Sequence, residues 1–202
     1  MTDRTDPRAT LQRARILEAA GRCLAKHGFQ RATIDEIAAA ASLSRPVLYK
    51  HFAGKDALIY AVLDTAFDEW LGEIAASDAA DAADNLTRLR GRLRGAINFA
   101  LEHPILQAIL RQDHRVLVAD HAVSFQRCHD RSLEKTREIL EAGVRSGEVR
   151  DDLDLASTAD SIEMVLFILV ERSIGLRPNE PINEAIIEST LTLLIDGLRT
   201  RS

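Results

Sequence analysis

Between Thr10 and Arg199 almost every stretch of the chain repeats its apolar residues at three- and four-residue intervals, and no segment sustains a period-2 alternation. A sequence of this kind has no strands to pair. It must bury its apolar stripes helix against helix, so the expected fold is all-α, with about nine helices. At 202 residues, 46% hydrophobic and 28% charged, the chain is long enough to bury a core without covalent staples. Cys23 and Cys128 stand far apart in helical patterns, which argues against a disulfide framework and for a reducing cytoplasm. The longest apolar run, Met164 to Val170, is closed off by Glu163 and Glu171 and falls far short of the roughly 18 residues that cross a bilayer. Residues 1–9 are polar with no apolar stretch of a secretion signal. They read as a disordered leader, in which Arg4 and Arg8 either solubilise the chain or reach a polyanion.

The helices are set off by local signals. Apolar spacing predicts a first helix over 10–27, with Gly28 as its stop. Thr33 and Glu36 fit a capping box for a short second helix. Ser44 caps a third, in whose first turn Pro46 is tolerated. Ala53-Gly54 breaks it, and a long helix follows over 55–76. Asp84 caps a helix that ends near His103, Pro104 restarts the chain to about Gln112, and a longer helix covers 119–146. The last two helices are expected over 155–173 and 182–199, separated by Gly175, Pro178 and Pro181. Apolar residues go all round the helix between Ile162 and Val170, and positions 182, 186, 187, 191, 194, 195 and 198 make a broad stripe. Such a surplus is either an internal core or, as the favoured reading, a self-complementary interface between two copies.

Charge is unevenly distributed. Residues 1–56 hold ten Lys/Arg against six Asp/Glu, and residues 57–202 hold sixteen against twenty-five, within a net charge of −5. A basic head on an acidic body suits a protein that touches a polyanion with one end, although an excess of four charges also arises by chance. The head contains the layout of a helix-turn-helix. Ile37, Ala38 and Ala41 face inward from one helix, Leu43 plugs the turn, and Leu48 and Phe52 line the inner side of the next. Helical geometry then places Pro46 and Lys50 on the opposite face, flanked by Val47 and Tyr49. That face suits a major groove, through phosphate hydrogen bonds and apolar contact with thymine methyls. The competing reading is a helical hairpin that merely packs.

The stretches Thr33-Ile-Asp-Glu-Ile-Ala, Ala41-Ser-Leu-Ser-Arg-Pro-Val-Leu-Tyr-Lys-His-Phe and Gly54-Lys-Asp-Ala-Leu58 closely resemble the DNA-binding domain of the tetracycline-repressor (TetR) family, over roughly residues 10–60. The resemblance implies a helix-turn-helix domain over 10–56 and a ligand-binding and dimerisation domain over 57–202. Thr33 matches a helix cap that also bonds a phosphate. Ser44, Arg45, Pro46 and Val47 match the start of the base-reading helix, with Arg45 expected on guanine O6 and N7. Tyr49 and His51 match phosphate-binding positions, and Lys50 a variable position that touches base or phosphate. Lys55, at the start of the long helix, resembles a phosphate-binding lysine. The alternatives are a partly buried Tyr49, a packing histidine at 51 and a solvated cap at 55. Ser42 departs from the glycine common in the family's turn; near the left-handed region it costs on the order of 1 kcal/mol.

By the same resemblance the protein is a homodimeric repressor, paired through its last two helices on a palindromic double-stranded DNA operator. A small, mostly apolar effector then releases it, with the long helix from Lys55 as the transmission element. Candidate cavity residues are Phe67, Trp70, Phe99, His103, Phe125, Met164 and Phe167, although residues of these kinds are more often plain core than ligand contacts. The alternative is a DNA-binding dimer controlled by a protein partner, or by no small molecule. His103, His114, His121 and His129, near Glu102, Asp113 and Asp120, lack the i,i+4 pair that two zinc ligands on one turn need. No metal, cofactor or catalytic motif is expected, and the protein is not expected to be an enzyme.

Overall fold

In the computed structural model, residues 7–79, 84–111, 114–175 and 182–200 are described, without the side chains of 77–79, 109, 111, 114–122 and 124. The described residues form nine helices: α1 (Pro7–His27), α2 (Ile34–Ala40), α3 (Arg45–His51), α4 (Lys55–Ala79), α5 (Asn85–Glu102), α6 (Pro104–Arg111), α7 (His114–Ser146), α8 (Leu155–Ser173) and α9 (Glu184–Leu198). The all-α expectation holds. The chain divides into two compact units, residues 1–67 with 104–124, and residues 68–103 with 125–202. This partition differs from a single break after residue 56, because residues 57–67 and α6 belong with the head.

The reason α6 joins the first unit is a close approach. Gly21 of α1 is buried, and a Cβ there would lie 2.3 Å from Ile105 Cδ1 on α6. A methyl group at position 21 would force the tip of the Ile105 side chain to shift. The core of this unit gathers Ile16, Ala20 and Leu24 of α1, Ile37 and Ala38 of α2, Leu48 of α3, and Leu58, Val62 and Leu63 of α4. Leu11, placed on the α1 stripe by spacing, is instead 65% exposed. The first helix starts at Pro7 and not at Thr10, since proline's fixed φ suits a first turn whose N–H groups have no partner. Residues 1–6, including Arg4, lie outside the described residues, as do Pro178 and Pro181.

In the second unit every cap but one comes from the side chain next to the helix. Asp84 accepts from Thr87 N, Asp154 from Ser157 N and Asn183 from Ile186 N. Glu148, distant in sequence, adds a second cap to α5 by accepting from Asn85 N at 2.7 Å and Leu86 N at 3.3 Å. At the centre of this unit lies a polar cluster. Arg92 of α5 donates to Thr136 Oγ1 (3.2 Å) and to the carbonyl and hydroxyl of Ser132 (3.0 and 2.8 Å). Both hydroxyls donate onward to Glu163 of α8, at 2.8 Å from Ser132 and 2.6 Å from Thr136. All four residues are buried, and the guanidinium stands 4.0 Å from the Glu163 carboxylate. A buried charge pair survives only when its remaining hydrogen-bonding capacity is met in this way.

Helix α8 buries Ile162, Leu166, Leu169 and Val170, while α9 buries Ile187, Leu191, Ile195 and Leu198. Their other faces expose Met164, Phe167 and Ile168, and Ile186 and Leu193. Both cysteines are free; burial pushes the Cys128 thiol up to about 12 and also raises that of Cys23, so neither is a ready nucleophile.

Candidate nucleic-acid interface

The local chain around α2 and α3 builds the interface. The capping box at the start of α2 is complete: Thr33 Oγ1 accepts from Glu36 N, while the Glu36 carboxylate accepts from Thr33 N (2.9 Å) and Thr33 Oγ1 (2.8 Å). The backbone N–H of Thr33 holds the Glu36 carboxyl below its ordinary range. Helix α2 ends in a Schellman turn, with Leu43 N donating to Ala38 O (2.9 Å) and Ser42 N to Ala39 O (3.0 Å). Its left-handed position is Ser42, at φ 55°. Among the described residues it is the one non-glycine with positive φ. The turn is then tied to α1 by Arg15, whose guanidinium donates to Ala41 O at 2.9 Å.

Ser44 occupies the N-cap of α3, but its hydroxyl makes no capping bond. This corrects the expected side-chain cap, and the cause is local. Pro46, the second helical residue, has no N–H to offer, and the N–H of Val47 bonds to the Ser44 carbonyl at 2.9 Å. The hydroxyl therefore stays outward. Inward, Leu48 and Phe52 are buried, as their spacing requires. The outer face of α3 carries exposed Arg45, Pro46, Tyr49 and Lys50, with Val47 half-buried beside them.

Arg45 is held in place by its neighbours on α2 and α3. Its guanidinium pairs with Asp35 of α2 at 3.3 Å, hydrogen-bonds the Tyr49 hydroxyl at 3.4 Å and lies over the Tyr49 ring, 5.6 Å from its centroid. The Tyr49 hydroxyl first, then Asp35, raise its pKa above the ordinary arginine value. The role of Asp35 was not singled out in the sequence; the ten-residue separation spans the turn and gives no helical register to read. His51 Nε2 and Gln12 Oε1 are hydrogen-bonded at 3.2 Å. Lys55 Nζ donates to Gln30 O at 3.0 Å. Both side chains thus brace the domain while remaining at its surface edge. Thr33, Ser44, Arg45, Pro46, Tyr49 and Lys50 are the exposed members of the expected contact set, and Val47, His51 and Lys55 are half-buried.

The expected cavity residues are divided between the two units. Phe67 is buried within the first unit, and Met164 and Phe167 point outward from α8. They face away because Ile162, Leu166 and Leu169 take the inward side of the same helix. In the second unit Phe125 is half-buried, Trp70 Nε1 donates to Ala96 O at 3.3 Å, and Phe99 and His103 do line a cavity, with Glu73, Gly95, Asn98 and Glu102. Among the described residues no three His, Cys, Asp or Glu side chains converge as a metal set. The side chains of Asp113, His114, Asp120 and His121 lie outside the described residues; His129 is exposed on α7. No described helix is long and apolar enough to cross a membrane.

A three-helix head with an outward reading helix, set on an all-α body, defines a helix-turn-helix transcriptional regulator. The family described as bacterial regulatory proteins, tetR family, matches residues 16–62, the helix-turn-helix segment of the chain. It is 26% identical over 200 residues to the HTH-type transcriptional repressor KstR2 of Mycobacterium tuberculosis, covering 97% of each chain. Its fold matches the fatty acid degradation regulator FadR from Bacillus halodurans with a TM-score of 0.74, at 19% identity over 92% of this chain and 99% of the other. It also matches AibR in complex with isovaleryl coenzyme A and operator DNA, with a TM-score of 0.66 at 21% identity over 91% and 98%.

Proposed function

We propose that the protein is a homodimeric repressor that binds a palindromic operator and leaves it when a small, mostly apolar effector binds residues 57–202. The observation that carries this reading is the outer face of α3, where Arg45 is stacked on Tyr49 beside Lys50 and the Ser44 hydroxyl. Arginine offers guanine a two-pronged donor, and the hydroxyls and lysine offer phosphate contacts. Thr33, Val47, His51 and Lys55 complete the proposed contact set, with Pro46 against a thymine methyl. His51 and Lys55 reach phosphate after exchanging their present partners, Gln12 and the Gln30 carbonyl.

The exposed apolar residues of α8 and α9 support pairing of two copies through these helices. Two reading heads joined in this way meet half-sites spaced about 34–36 Å apart, one turn of DNA. A relative named as a repressor and a neighbour of the same fold described in complex with isovaleryl coenzyme A and operator DNA support a DNA-binding protein with a small-molecule ligand. The protein acts by binding and not by catalysis, in the cytoplasm where its operator lies.

The test is fluorescence-anisotropy binding to the DNA upstream of the protein's own gene, to a pool of random genomic fragments and to scrambled DNA, across a salt series. Selective binding to upstream or genomic DNA with a steep negative salt slope is expected. No binding to any of the three at low salt overturns the proposal.

A further inference from the structure

Asp35 brings an acid to the face proposed to meet a polyanion. It is exposed in the first turn of α2. Thr33 and Glu36 already close the start of that helix by bonding each other's backbone N–H groups, so the cap needs nothing from Asp35. Its partner stands across the turn. Arg45 Nη1 donates to both Asp35 oxygens, at 3.3 and 3.5 Å, and Nη2 donates to the Tyr49 hydroxyl at 3.4 Å. A set of donors and a set of acceptors thus lie side by side at the start of the reading helix. Both side chains are open to water, and such a pair changes partners at small cost.

Hydrogen-bonding capacity narrows what a new partner of Asp35 can be. An ionised carboxylate only accepts. Phosphate oxygens only accept as well, so the DNA backbone repels Asp35 at every sequence. The donors that a major groove offers are the N4 amino group of cytosine and the N6 amino group of adenine. Adenine places its N7 acceptor beside N6, and a carboxylate has nothing to donate to it. Cytosine presents its amino group alone, which makes it the better fit. A guanine next to a cytosine thus offers acceptors and a donor side by side, the complement of Arg45 and Asp35. We propose that Asp35 is a second base-reading residue, accepting from the N4 amino group of a cytosine in the base pair next to the guanine that Arg45 binds. The proposal rests on the operator reading above and adds to it a residue that determines specificity.

The test selects preferred sites from a random-sequence DNA duplex library with the full chain and with its D35N and D35A variants, each checked for helical circular dichroism. The parent should enrich a guanine and a neighbouring cytosine in each half-site. D35A should lose the cytosine preference and keep the guanine. D35N should move that preference to adenine, because an amide both accepts from N6 and donates to N7. A purely structural role for Asp35 would weaken binding to all sequences and leave the preferred bases in place. By fluorescence anisotropy, exchanging that cytosine for thymine in one half-site should weaken the parent at least about fivefold and D35A less than about twofold.

A parent preference without that cytosine, or one unchanged in both D35N and D35A, overturns the base-reading role of Asp35 and leaves the operator reading standing. A parent that enriches no sequence, or binds no duplex at low salt, overturns both.

Discussion

Two arginine–carboxylate constellations in this chain have opposite fates. Arg45 and Asp35, on the outer side of α3 and α2, have side chains 55% and 68% exposed. Arg92 and Glu163, in the core of the second unit, are 2% and 6% exposed. An exposed pair contributes at most about 1 kcal/mol, because water and salt compete for both partners. Under the proposed reading, Arg45 gives up Asp35 for a guanine at little cost to the fold. The buried pair is bound to its place by desolvation, since either charge left alone has no water to fall back on. The same two functional groups stay exchangeable in one place and are fixed in the other, and burial decides which.

The comparison breaks most visibly at the buried pair. Arg92→Ala is expected to lose about 3–5 kcal/mol of stability in urea unfolding, while Arg92→Met combined with Glu163→Leu stays close to the parent. If the double variant is as unstable as the single one, the cluster stabilises by more than mutual compensation. Arg45→Ala should leave the unfolding midpoint in place and cost roughly 1–3 kcal/mol of DNA affinity at a single base pair. Equal losses on every sequence would make Arg45 a phosphate contact. Ser42→Gly is expected to gain about 0.5–1 kcal/mol of stability, by relieving a left-handed serine; a loss in thermal unfolding would show that the serine hydroxyl contributes more than its backbone costs.

The smallest effect lies in acid. Glu36, Asp84 and Asp154 are held below the ordinary carboxylate range by the backbone N–H groups of Thr33, Thr87 and Ser157. Their folded pKa values are depressed, so their contribution is complete at neutral pH. It declines as the pH falls into the ordinary carboxylate range near about 4, and is gone below the folded values. Urea midpoints measured from pH 7 to pH 3 should fall in that window. A flat or rising profile would assign these caps no role in acid stability.

What the sequence made legible follows the range of the interactions. The capping box at Thr33 and Glu36, the Leu48/Phe52 inner face and the strain at Ser42 are all encoded within four residues, and periodicity reads that distance. The Ser44 cap failed for an equally local reason, the missing N–H of Pro46, which the sequence did contain. Arg92 falls on the stripe of Leu89, Leu93 and Ala96, and Glu163 sits beside Ile162 on an inward-facing turn of α8. Their burial was thus marked by register, yet their meeting with Ser132 and Thr136 spans 27 to 44 residues, beyond any local pattern. Met164 and Phe167, expected in a cavity, stand on the exposed face of α8, because apolarity alone does not say which of two apolar faces turns inward.

Pro46 has one more consequence. Helix α3 has only seven residues, a length at which an isolated helix in water is mostly unwound. Here the pyrrolidine ring fixes φ in its first turn, and Leu48 and Phe52 anchor the rest. The reading helix thus exists before DNA arrives, and the ordering entropy is settled at folding and not at docking. Association with DNA should accordingly show a heat-capacity change no larger than the contact area itself requires, with nothing added for coupled folding.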